Sequence, residues 1–348
     1  MSYKLAICIP TYNRKEYLRI CMEAIISEIS VNDCYDSVQI CVSDNCSTDG
    51  TAALVANFIN NSGVDIIYYQ NSTNIGPDLN FLKCIEISKA DYCWFMGSDD
   101  VLIPGSIELV LKHISEYNCD TYVFNRTICD VNLVPKIIDP FFHAGNNEVY
   151  KLADDASALA YFQRSLSLGA VFSFLSSLII KKTAWDSVEY DVSFTGTAYS
   201  HVSMILNYLL NDGSTVQLAD SSIVFCRTGN DHFSQGGMKK RALIDINGYI
   251  KMCEIFHKKN KARIVEPFLT ILMKEYHYYN LLKHRSFLTQ EEWNDLYQAF
   301  INASLGYKEL EQVNSLSIPF ANAQRLAFAV KRKIKLVLST LTTDLSKV

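Results

Sequence analysis

Short apolar runs alternate with longer amphipathic segments along the first hundred residues, and this alternation limits the possible folds more than any other feature. The apolar runs have the length and β-branched content of buried strands, and the segments between them carry apolar residues at helical spacing. Strands that alternate with helices form a mainly parallel sheet with helices on both faces, so the pattern predicts an α/β protein. The predicted strands cover 5–9, 38–42, 65–69 and 92–96, and the predicted helices cover 14–29, 51–59 and 78–88.

The pattern continues in a less regular form beyond residue 100. From Met238 onward the sequence is helical in character, with a capping box from Thr289 to Glu292. We therefore expect a sheet domain at 1–235 and a helical region at 236–348. The further predicted elements are helices at 107–116 and 201–210 and strands at 121–125, 174–180 and 222–226.

Charge is distributed unevenly along the chain of 348 residues. The formal net charge of −5 argues against general nucleic-acid binding, yet residues 323–348 carry six Lys or Arg and one Asp. Lys331, Arg332, Lys333 and Lys335 lie mostly off the helical face that carries the aliphatic side chains. This is the pattern of an amphipathic helix on an anionic membrane surface. A terminal helix packed on the body or in a dimer is the alternative.

Cysteine usage and hydropathy bear on where the protein works. The eleven cysteines are scattered, lie mostly in apolar stretches and include no Cys-x-x-Cys pair, so reduced, buried thiols are expected. The N-terminal apolar run is too short for a signal peptide, and no run reaches the roughly 18 apolar residues of a membrane span. These observations predict a cytoplasmic protein that is soluble or peripheral, and the basic C-terminal helix favours a peripheral location on the inner face of the cytoplasmic membrane.

Polar clusters follow each of the first four predicted strands. In an open α/β sheet, ligands bind beyond the carboxyl ends of the strands, so loops that are distant in sequence converge on one crevice. The chain has no Gly-x-Gly-x-x-Gly after its first strand and no Gly-Lys-Ser/Thr loop, which argues against dinucleotide oxidoreductases and P-loop NTPases. The four clusters are 10–14, 43–50, 71–76 and 98–100.

The fourth cluster joins two carboxylates directly to a buried strand. Asp99 and Asp100 follow the apolar run 92–96, and adjacent acids repel each other unless a cation or polar ligand is present. Mg²⁺ or Mn²⁺ accepts carboxylate oxygens and keeps positions open for a diphosphate, so the pair indicates phosphate-ester chemistry with a metal. A solvated acidic turn is the alternative.

The four clusters, in this order and spacing, resemble the motifs of glycosyltransferase family 2. The resemblance implies the GT-A fold and a nucleotide-sugar donor, with a donor half at 1–125 and an acceptor half at 126–235. The motifs that carry it are Ile9 to Arg14, Ser43 to Thr51, Asn74 to Gly76 and Gly97 to Asp100.

Further segments are similar to the abequosyltransferases of O-antigen synthesis. Those enzymes transfer a 3,6-dideoxyhexose from a CDP-sugar to a mannose on a lipid-linked oligosaccharide. The resemblance therefore implies a CDP-linked donor and an undecaprenyl-diphosphate-linked acceptor. The alternatives are a family 2 transferase for a UDP- or GDP-hexose, and a nucleotide-sugar-binding or membrane-scaffolding protein without catalysis. The similar segments are Asn74 to Phe81, Asp91 to Trp94, Gly169 to Leu178 and Arg227 to Phe233.

The resemblance assigns the donor site to side chains of the four loops. Asp44 is expected to accept a hydrogen bond from a pyrimidine base, either from N3–H of uracil or from the exocyclic amine of cytosine. Asp78 and Asn80 lie on the first turn of the helix at 78–88, where backbone amides favour anionic groups. The predicted nucleotide-sugar contacts are Pro10, Thr11, Tyr12, Asn13, Arg14, Asp44, Asn45, Asn74, Gly76, Asp78, Asn80, Ser98 and Asp99.

The same resemblance assigns the metal ligands. Asp100 is the predicted ligand of Mg²⁺ or Mn²⁺, and Asp99 contacts ribose or the metal. Ser98 stands where the family has another carboxylate. His232 lies in the glycine-rich segment 227–237, which has the composition of a mobile lid, and it is a candidate third ligand.

A catalytic base is expected near Tyr199 to His201, where the family has a carboxylate pair before a helix. His201 can deprotonate an acceptor hydroxyl at neutral pH, since an unperturbed imidazole has a pKa of about 6.5. It can equally bind acceptor hydroxyls at the start of a helix. Asp191 is the nearest carboxylate alternative.

Overall fold

The computed structural model of the protein describes residues 3–145, 147–228 and 237–329. Its strands are β1 (Tyr3–Thr11), β2 (Val38–Asp44), β3 (Ile66–Gln70), β4 (Ala90–Phe95), β5 (Val101–Leu102), β6 (Thr121–Cys129), β7 (Pro135–Asp139), β8 (Val149–Tyr150), β9 (Leu178–Lys181) and β10 (Val216–Arg227). Its α-helices are α1 (Lys15–Val31), α2 (Thr51–Asn61), α3 (Pro77–Glu86), α4 (Ser106–Tyr117), α5 (Asp155–Arg164), α6 (Lys182–Trp185), α7 (Ser200–Leu209), α8 (Gly237–Lys258), α9 (Val265–Glu275), α10 (Tyr278–Phe287), α11 (Gln290–Asn302) and α12 (Lys308–Asn314). Residues 318–329 are also helical.

One mixed sheet runs in the order β3-β2-β1-β4-β9-β6-β10-β5. The pairs β3/β2, β2/β1 and β1/β4 are parallel, and β9 lies antiparallel between β4 and β6. β10 is parallel to β6, while β7 and β8 pair antiparallel with β6 and β10. The predicted α/β fold is confirmed. The first four strands end at the same edge of the sheet, so their loops converge as expected.

The parallel part of the sheet is buried on both faces. Every residue at 5–9 and 38–42 is fully buried. Helix α1 covers this part of the sheet with Leu18, Met22 and Ile25, which recur at helical spacing. Parallel strands enclosed by helices need such continuous apolar runs. The loops at the strand ends therefore project from a rigid scaffold.

The sequence predicted that the first strand ends at Pro10, but strand β1 extends one residue further, to Thr11. The carbonyl of Cys8 accepts a hydrogen bond from the amide of Met96 at 2.9 Å, so Cys8 faces β4. The backbone of Pro10, two residues later, points to the same side of the strand, but no residue of β4 is paired with it. Its missing N–H therefore removes no sheet hydrogen bond, and the strand delivers Thr11 to the crevice.

Two later strand predictions were wrong in extent. The strand predicted at 174–180 begins at Leu178, because Leu175–Ser177 form a 3-10 turn. The strand predicted at 222–226 is the second half of β10, whose pairing is irregular between Ala219 and Val224. The polar residues at 220–222 interrupt the apolar pattern there, which concealed the first half of the strand.

Contacts divide the chain into two units. The first comprises Met1–Asp231 and Lys251–Ile271 and contains the sheet. The second comprises His232–Ile250 and Leu272–Val348, and its described residues are helical. In this second unit the predicted capping box is confirmed, since the Thr289 hydroxyl and the Glu292 carboxylate each accept from the other's backbone amide.

The structure also describes the cysteines and the hydropathy of the helices. None of the eleven cysteines forms a disulfide bond in the structure, and nine of them are buried. Among the described residues, no helix is both long enough and apolar enough to cross a membrane.

Candidate active site

Asn13 and Asp49 tie the loop after β1 to the loop after β2. Asn13 has a left-handed backbone with φ of 49°, and its side-chain Oδ1 accepts from the amide of Thr48 at 2.8 Å. The Asp49 carboxylate accepts from the amides of Lys15 at 2.8 Å and Thr51 at 3.1 Å, which are the first residues of α1 and α2. Both side chains therefore hold the shape of the crevice by satisfying backbone groups.

Asn45 and Asn80 join the loops that follow β2 and β3. Asn45 donates Nδ2 to Oδ1 of Asn74 at 2.8 Å and accepts from the amide of Ile75 at 2.9 Å. Asn80 donates Nδ2 to the carbonyl of Ser43 at 3.0 Å, and its Oδ1 accepts from the Ser43 hydroxyl at 2.8 Å. Both asparagines are buried, and their hydrogen bonds connect the loops of the site. The sequence predicted them as contacts of the nucleotide-sugar.

Asp44 is fully buried, and protein groups occupy both of its carboxylate oxygens. Oδ1 accepts from the amide of Ser47 at 2.9 Å. Oδ2 accepts from the hydroxyl of Tyr68 at 2.6 Å and from Nε2 of Gln70 at 3.4 Å. Burial and the hydrogen bond to Asp44 raise the pKa of Tyr68, so its hydroxyl keeps its proton for the carboxylate. The exposed Gln70 amide makes the longest of these contacts and is the easiest to displace.

Tyr12 and Gly76 border open space in the crevice, and Thr11 precedes Tyr12 as a buried residue. The buried Thr11 hydroxyl has no hydrogen-bond partner among the described residues, and the Tyr12 ring is exposed. Gly76 precedes α3 with φ of 84°, and no atom would lie within 4 Å of a Cβ built there. A buried hydroxyl without a protein partner is suited to a ligand.

The loop after β4 brings Asp100 against Ser176. The Ser176 hydroxyl donates to Oδ2 of Asp100 at 2.5 Å and accepts from the amide of Gly97 at 2.8 Å. A Cβ at Gly97 would lie 3.1 Å from Oδ2 of Asp100 and 3.2 Å from Oγ of Ser176, so glycine is needed for this close approach. Oδ1 of Asp100 accepts from the amide of Arg227 at 3.3 Å. Ser98, in the same loop, is buried.

Arg14 and Arg227 approach the neighbouring Asp99 from two sides. Nη1 of Arg14 lies 2.5 Å from Oδ2 of Asp99. Arg227 donates Nε to the Asp99 carbonyl at 3.2 Å, and its guanidinium lies 5.0 Å from the centre of the Tyr17 ring. Nη2 of Arg227 is buried without a hydrogen-bond partner among the described residues. The guanidinium therefore retains a donor for an anionic group.

Electrostatics set Asp100 apart from ordinary carboxylates. Burial, followed by the charge of Asp99, raises the pKa of Asp100 to about 7. The Ser176 hydrogen bond and the charge of Arg126 oppose this rise. Arg126 lies in β6 and is shared with Asp139, whose carboxylate is 2.9 Å away. Asp100 is thus a buried acid without a full counter-charge.

The described residues contain no group of three or more His, Cys, Asp or Glu side chains arranged to hold a metal ion. Asp99 and Asp100 nevertheless offer the oxygen donors that Mg²⁺ and Mn²⁺ prefer, and the phosphates of a nucleotide can provide further ligands. These donors fit a divalent ion. The predicted third ligand, His232, lies outside the described residues.

His201, the predicted base, is only 2% exposed at the start of α7. Nε2 lies 3.0 Å from the carbonyl of Phe172, and Nδ1 has no hydrogen-bond partner among the described residues. The rings of Phe81 and Phe95 lie with their centres 5.9 Å and 6.1 Å from the imidazole. Burial lowers the pKa of His201 to about 4. The imidazole is therefore neutral at pH 7 but enclosed, and its role as base stays a prediction.

Asp191 and Asp78 both accept hydrogen bonds from backbone amides. Asp191 accepts from the amide of Ser193 at 3.0 Å, which together with Lys258 lowers the pKa of Asp191. Asp78, on the first turn of α3, accepts from the amides of Gly196 at 2.8 Å and Ala198 at 3.1 Å. It also accepts from the amide of Ser200 at 3.3 Å, the first residue of α7. Asp78 thus connects α3 with the segment before α7.

Three side chains that contact or influence the predicted acids were missed in the sequence. Ser176 lies within Gly169 to Leu178, a segment similar to abequosyltransferases, so a signal for it was present. Tyr68 and Arg126 lie inside strands and belong to no motif. Only the folded sheet brings them to Asp44 and Asp100.

This sheet, with its crevice of polar loops and its paired acids, has the features of a family 2 glycosyltransferase. The family model described as glycosyl transferase family 2 matches residues 6–167. The chain is also 35% identical over 330 residues to the abequosyltransferase RfbV of Salmonella typhimurium. That alignment covers 94% of this chain and 95% of the relative. The chain belongs to glycosyltransferase family 2 and is a glycosyltransferase homologous to an abequosyltransferase.

Solved structures with low sequence identity share the fold. TarS of S. aureus, residues 1–349 in complex with UDP-GlcNAc, superposes with a TM-score of 0.60 at 15% identity, covering 93% of this chain and 88% of that one. The mannosyltransferase PcManGT of Pyrobaculum calidifontis, in complex with GDP-Man and Mn²⁺, gives a TM-score of 0.52 at 13% identity, covering 94% and 88%. The expected GT-A fold is confirmed.

Proposed function

We propose that the protein transfers a 3,6-dideoxyhexose such as abequose from a CDP-sugar to a mannose on a lipid-linked O-antigen oligosaccharide. The observation that carries the proposal is the 35% identity to an abequosyltransferase over 94% of this chain. An alignment of that length includes the acceptor half as well as the donor loops. The identity therefore bears on both substrates.

In this proposal the nucleotide lies across the loops after β1, β2 and β3. Tyr12 borders the base and ribose, and the buried hydroxyl of the preceding Thr11 has no hydrogen-bond partner among the described residues. Asp44 accepts from the exocyclic amine of cytosine. Because Oδ2 already accepts from Gln70 at 3.4 Å, the exposed Gln70 amide must move aside for the base to reach it.

The diphosphate lies at the loop after β4. Asp99 and Asp100 would hold Mg²⁺ or Mn²⁺, which when bound stabilises the negative charge of the departing diphosphate. Arg14 orients Asp99 and Ser176 orients Asp100 through the hydrogen bonds described above. The remaining donor of Arg227 supports the same charge. The acceptor hydroxyl attacks the anomeric carbon as the bond from that carbon to the diphosphate breaks.

The proposed general base is His201, with Asp191 as the alternative. The neutral imidazole of His201 can take up a proton at Nδ1, which is unpartnered among the described residues. At 2% exposure, Nδ1 reaches an acceptor hydroxyl only after the rings of Phe81 and Phe95 shift. Asp191 needs no such movement, but its carboxylate must first leave Lys258, 3.3 Å away.

We further propose an undecaprenyl-diphosphate-linked acceptor, with the enzyme peripheral on the inner face of the cytoplasmic membrane. The support is the homology to an abequosyltransferase and the basic sequence at the C-terminus. Residues 330–348, which carry most of that basic charge, lie outside the described residues.

A second candidate is a family 2 transferase for a UDP- or GDP-hexose. Complexes of similarly folded enzymes with UDP-GlcNAc and GDP-Man favour it, because the same fold accepts those nucleotides. The two candidates differ in the base that the donor site recognises.

Thermal unfolding of the full chain with CDP, UDP or GDP, each with Mg²⁺ or Mn²⁺, separates the candidates. A nucleotide at about 100 times its Kd stabilises the native state by about 2.7 kcal/mol. We expect the largest rise in Tm with CDP, loss of that rise with EDTA, and release of CDP from CDP-abequose only when a mannose-terminated acceptor is added. A larger rise with UDP or GDP, with no effect of CDP, would overturn the proposed donor.

A further inference from the structure

Two helices of the second unit share an exposed cluster of aromatic and basic side chains. Helix α10 carries Tyr279, Lys283 and Phe287 at four-residue steps, which places them on one helical face. The helix at 318–329 contributes Arg325 and Phe328, which lie against this face. We call these five residues the aromatic–basic face.

Contacts within α10 and between the two helices hold the aromatic–basic face together. Nζ of Lys283 lies 5.0 Å from the centre of the Tyr279 ring, and the guanidinium of Arg325 lies 4.6 Å from that of Phe287. The rings of Tyr279 and Phe328 have their centres 6.2 Å apart. Phe287 is nevertheless 61% exposed and Phe328 45% exposed. Covering such rings with an apolar surface lowers the free energy, because it removes their apolar area from water.

The cations of the aromatic–basic face contact aromatic rings and a side-chain amide rather than acids of the described residues. In the described part of the chain, Lys283 and Arg325 form no ion pair with a carboxylate. Arg325 donates Nη2 to the side chain of Asn322 at 2.8 Å, while its Nε is buried without a hydrogen-bond partner there. Both positive charges are therefore available to an anionic partner.

The chain outside the described residues begins at the end of the same helix. Residues 330–348 start with Lys331, Arg332, Lys333 and Lys335, and Asp344 is their only acid. In the sequence, the helix that carries Arg325 and Phe328 is therefore followed by a basic segment.

We propose that the aromatic–basic face docks on a bilayer that contains anionic lipids. Aromatic rings with a polar neighbour are stable at the level of the lipid headgroups, and basic side chains beside them bind anionic headgroups. The inference deepens the proposed function and rests on its lipid-linked acceptor, because an enzyme whose acceptor is held in a membrane needs a membrane-facing surface. It assigns that surface to two described helices rather than to the basic C-terminal sequence alone.

Vesicle co-sedimentation of the full chain tests the proposal. The variants are Phe287→Ser with Phe328→Ser, and Lys283→Glu with Arg325→Glu, compared on phosphatidylglycerol-containing and pure phosphatidylcholine vesicles. We expect each pair of substitutions to lower the affinity for the anionic vesicles about tenfold or more. The matched controls Val192→Ser and Lys112→Glu change exposed residues of the first unit and should bind as wild type does.

Three outcomes would overturn the proposal. Wild-type vesicle binding by both variant pairs would show that the face does not contact lipid. Unchanged vesicle binding with a smaller particle mass in sedimentation would assign the face to a second copy of this chain. Unchanged vesicle binding with a lower Tm would mean that residues 330–348 cover the face.

The proposed transferase activity is measured separately. CDP stabilisation and transfer to a lipid-free mannoside should be the same in these variants as in the wild type. If the wild type itself shows neither CDP stabilisation nor transfer to the mannoside, the proposed function fails. The vesicle experiment then still tests the docking of the aromatic–basic face independently.

Discussion

Ser176 donates a hydrogen bond of 2.5 Å to Oδ2 of Asp100, across 76 positions of the sequence. Ser176 belongs to the 3-10 turn before β9, while Asp100 belongs to the loop after β4. The same hydroxyl accepts from the amide of Gly97 at 2.8 Å. One side chain therefore fixes the start and the end of the loop that presents the paired acids.

Ser176→Ala should reduce transfer by about 10- to 100-fold, the usual cost of removing a group that orients a metal-binding side chain. We expect kcat to fall more than the KM for the nucleotide-sugar rises, because the donor loops stay intact while Asp100 loses its orientation. Ser176→Thr keeps the hydroxyl and should restore part of the activity. Steady-state kinetics with a CDP-sugar measure both parameters.

Ser177→Ala is the control for this prediction. The Ser177 hydroxyl donates to the carbonyl of Phe174 at 2.8 Å, so its loss affects the same turn without touching Asp100. Equal losses of kcat in Ser176→Ala and Ser177→Ala would contradict the orienting role and indicate a general effect on the turn.

The sequence predicted the elements of the donor half but not the contacts that connect them. Apolar periodicity is local, so it located β1 to β4 and the helices between them to within a few residues. The predicted strand includes the turn at Ser176, because neighbouring apolar residues conceal this serine and its partner Asp100 is distant in sequence. The hydrogen bonds from amides at 196–200 to Asp78 were not predicted, since nothing local in the sequence indicates that they lie against it. Long-range polar contacts leave no periodic signal.

Asp100→Asn should abolish transfer and leave the fold intact. Burial, followed by the charge of Asp99, raises the pKa of Asp100 from 3.8 to about 7, so between these values the native state holds a proton that the unfolded state has released. Stability therefore falls as the pH rises through this range, and at pH 8 the ionised carboxylate opposes folding. Asparagine does not titrate. Without donor, the variant should unfold at pH 8 at the same or a higher Tm than wild type, and a lower Tm would contradict this account.

Asp78→Ala should destabilise the protein by about 3 kcal/mol, because it removes a buried carboxylate that accepts from the amides of Gly196, Ala198 and Ser200. We also expect a higher KM for the acceptor, since the segment before α7 is no longer fixed to α3. Urea unfolding and acceptor titration measure the two effects. Asp186→Ala, which removes an exposed carboxylate from a surface ion pair, is the control and should cost less than about 1 kcal/mol.

His201→Gln separates the two roles predicted for this residue. A glutamine cannot act as a general base at neutral pH, so loss of the base should lower kcat by at least about 100-fold with little change in acceptor KM. If His201 only positions the acceptor site, kcat should stay close to wild type while the acceptor KM rises. Asp191→Asn, measured in parallel, identifies the alternative base if it alone lowers kcat.

The buried imidazole of His201 should also make the fold sensitive to acid. Burial lowers the pKa of His201 from 6.5 to about 4, so between these values the unfolded state binds a proton that the native state does not. Stability therefore rises with pH through this window, and as the pH falls from 6.5 to 4 this group removes about 3 kcal/mol. His201→Gln should lose less stability than wild type over that range in urea unfolding. Ser203→Ala, which changes a buried hydroxyl of the same helix without removing a titrating group, should follow the wild-type dependence. Parallel curves for wild type and His201→Gln would show that the pKa of this histidine is the same in the native and unfolded states.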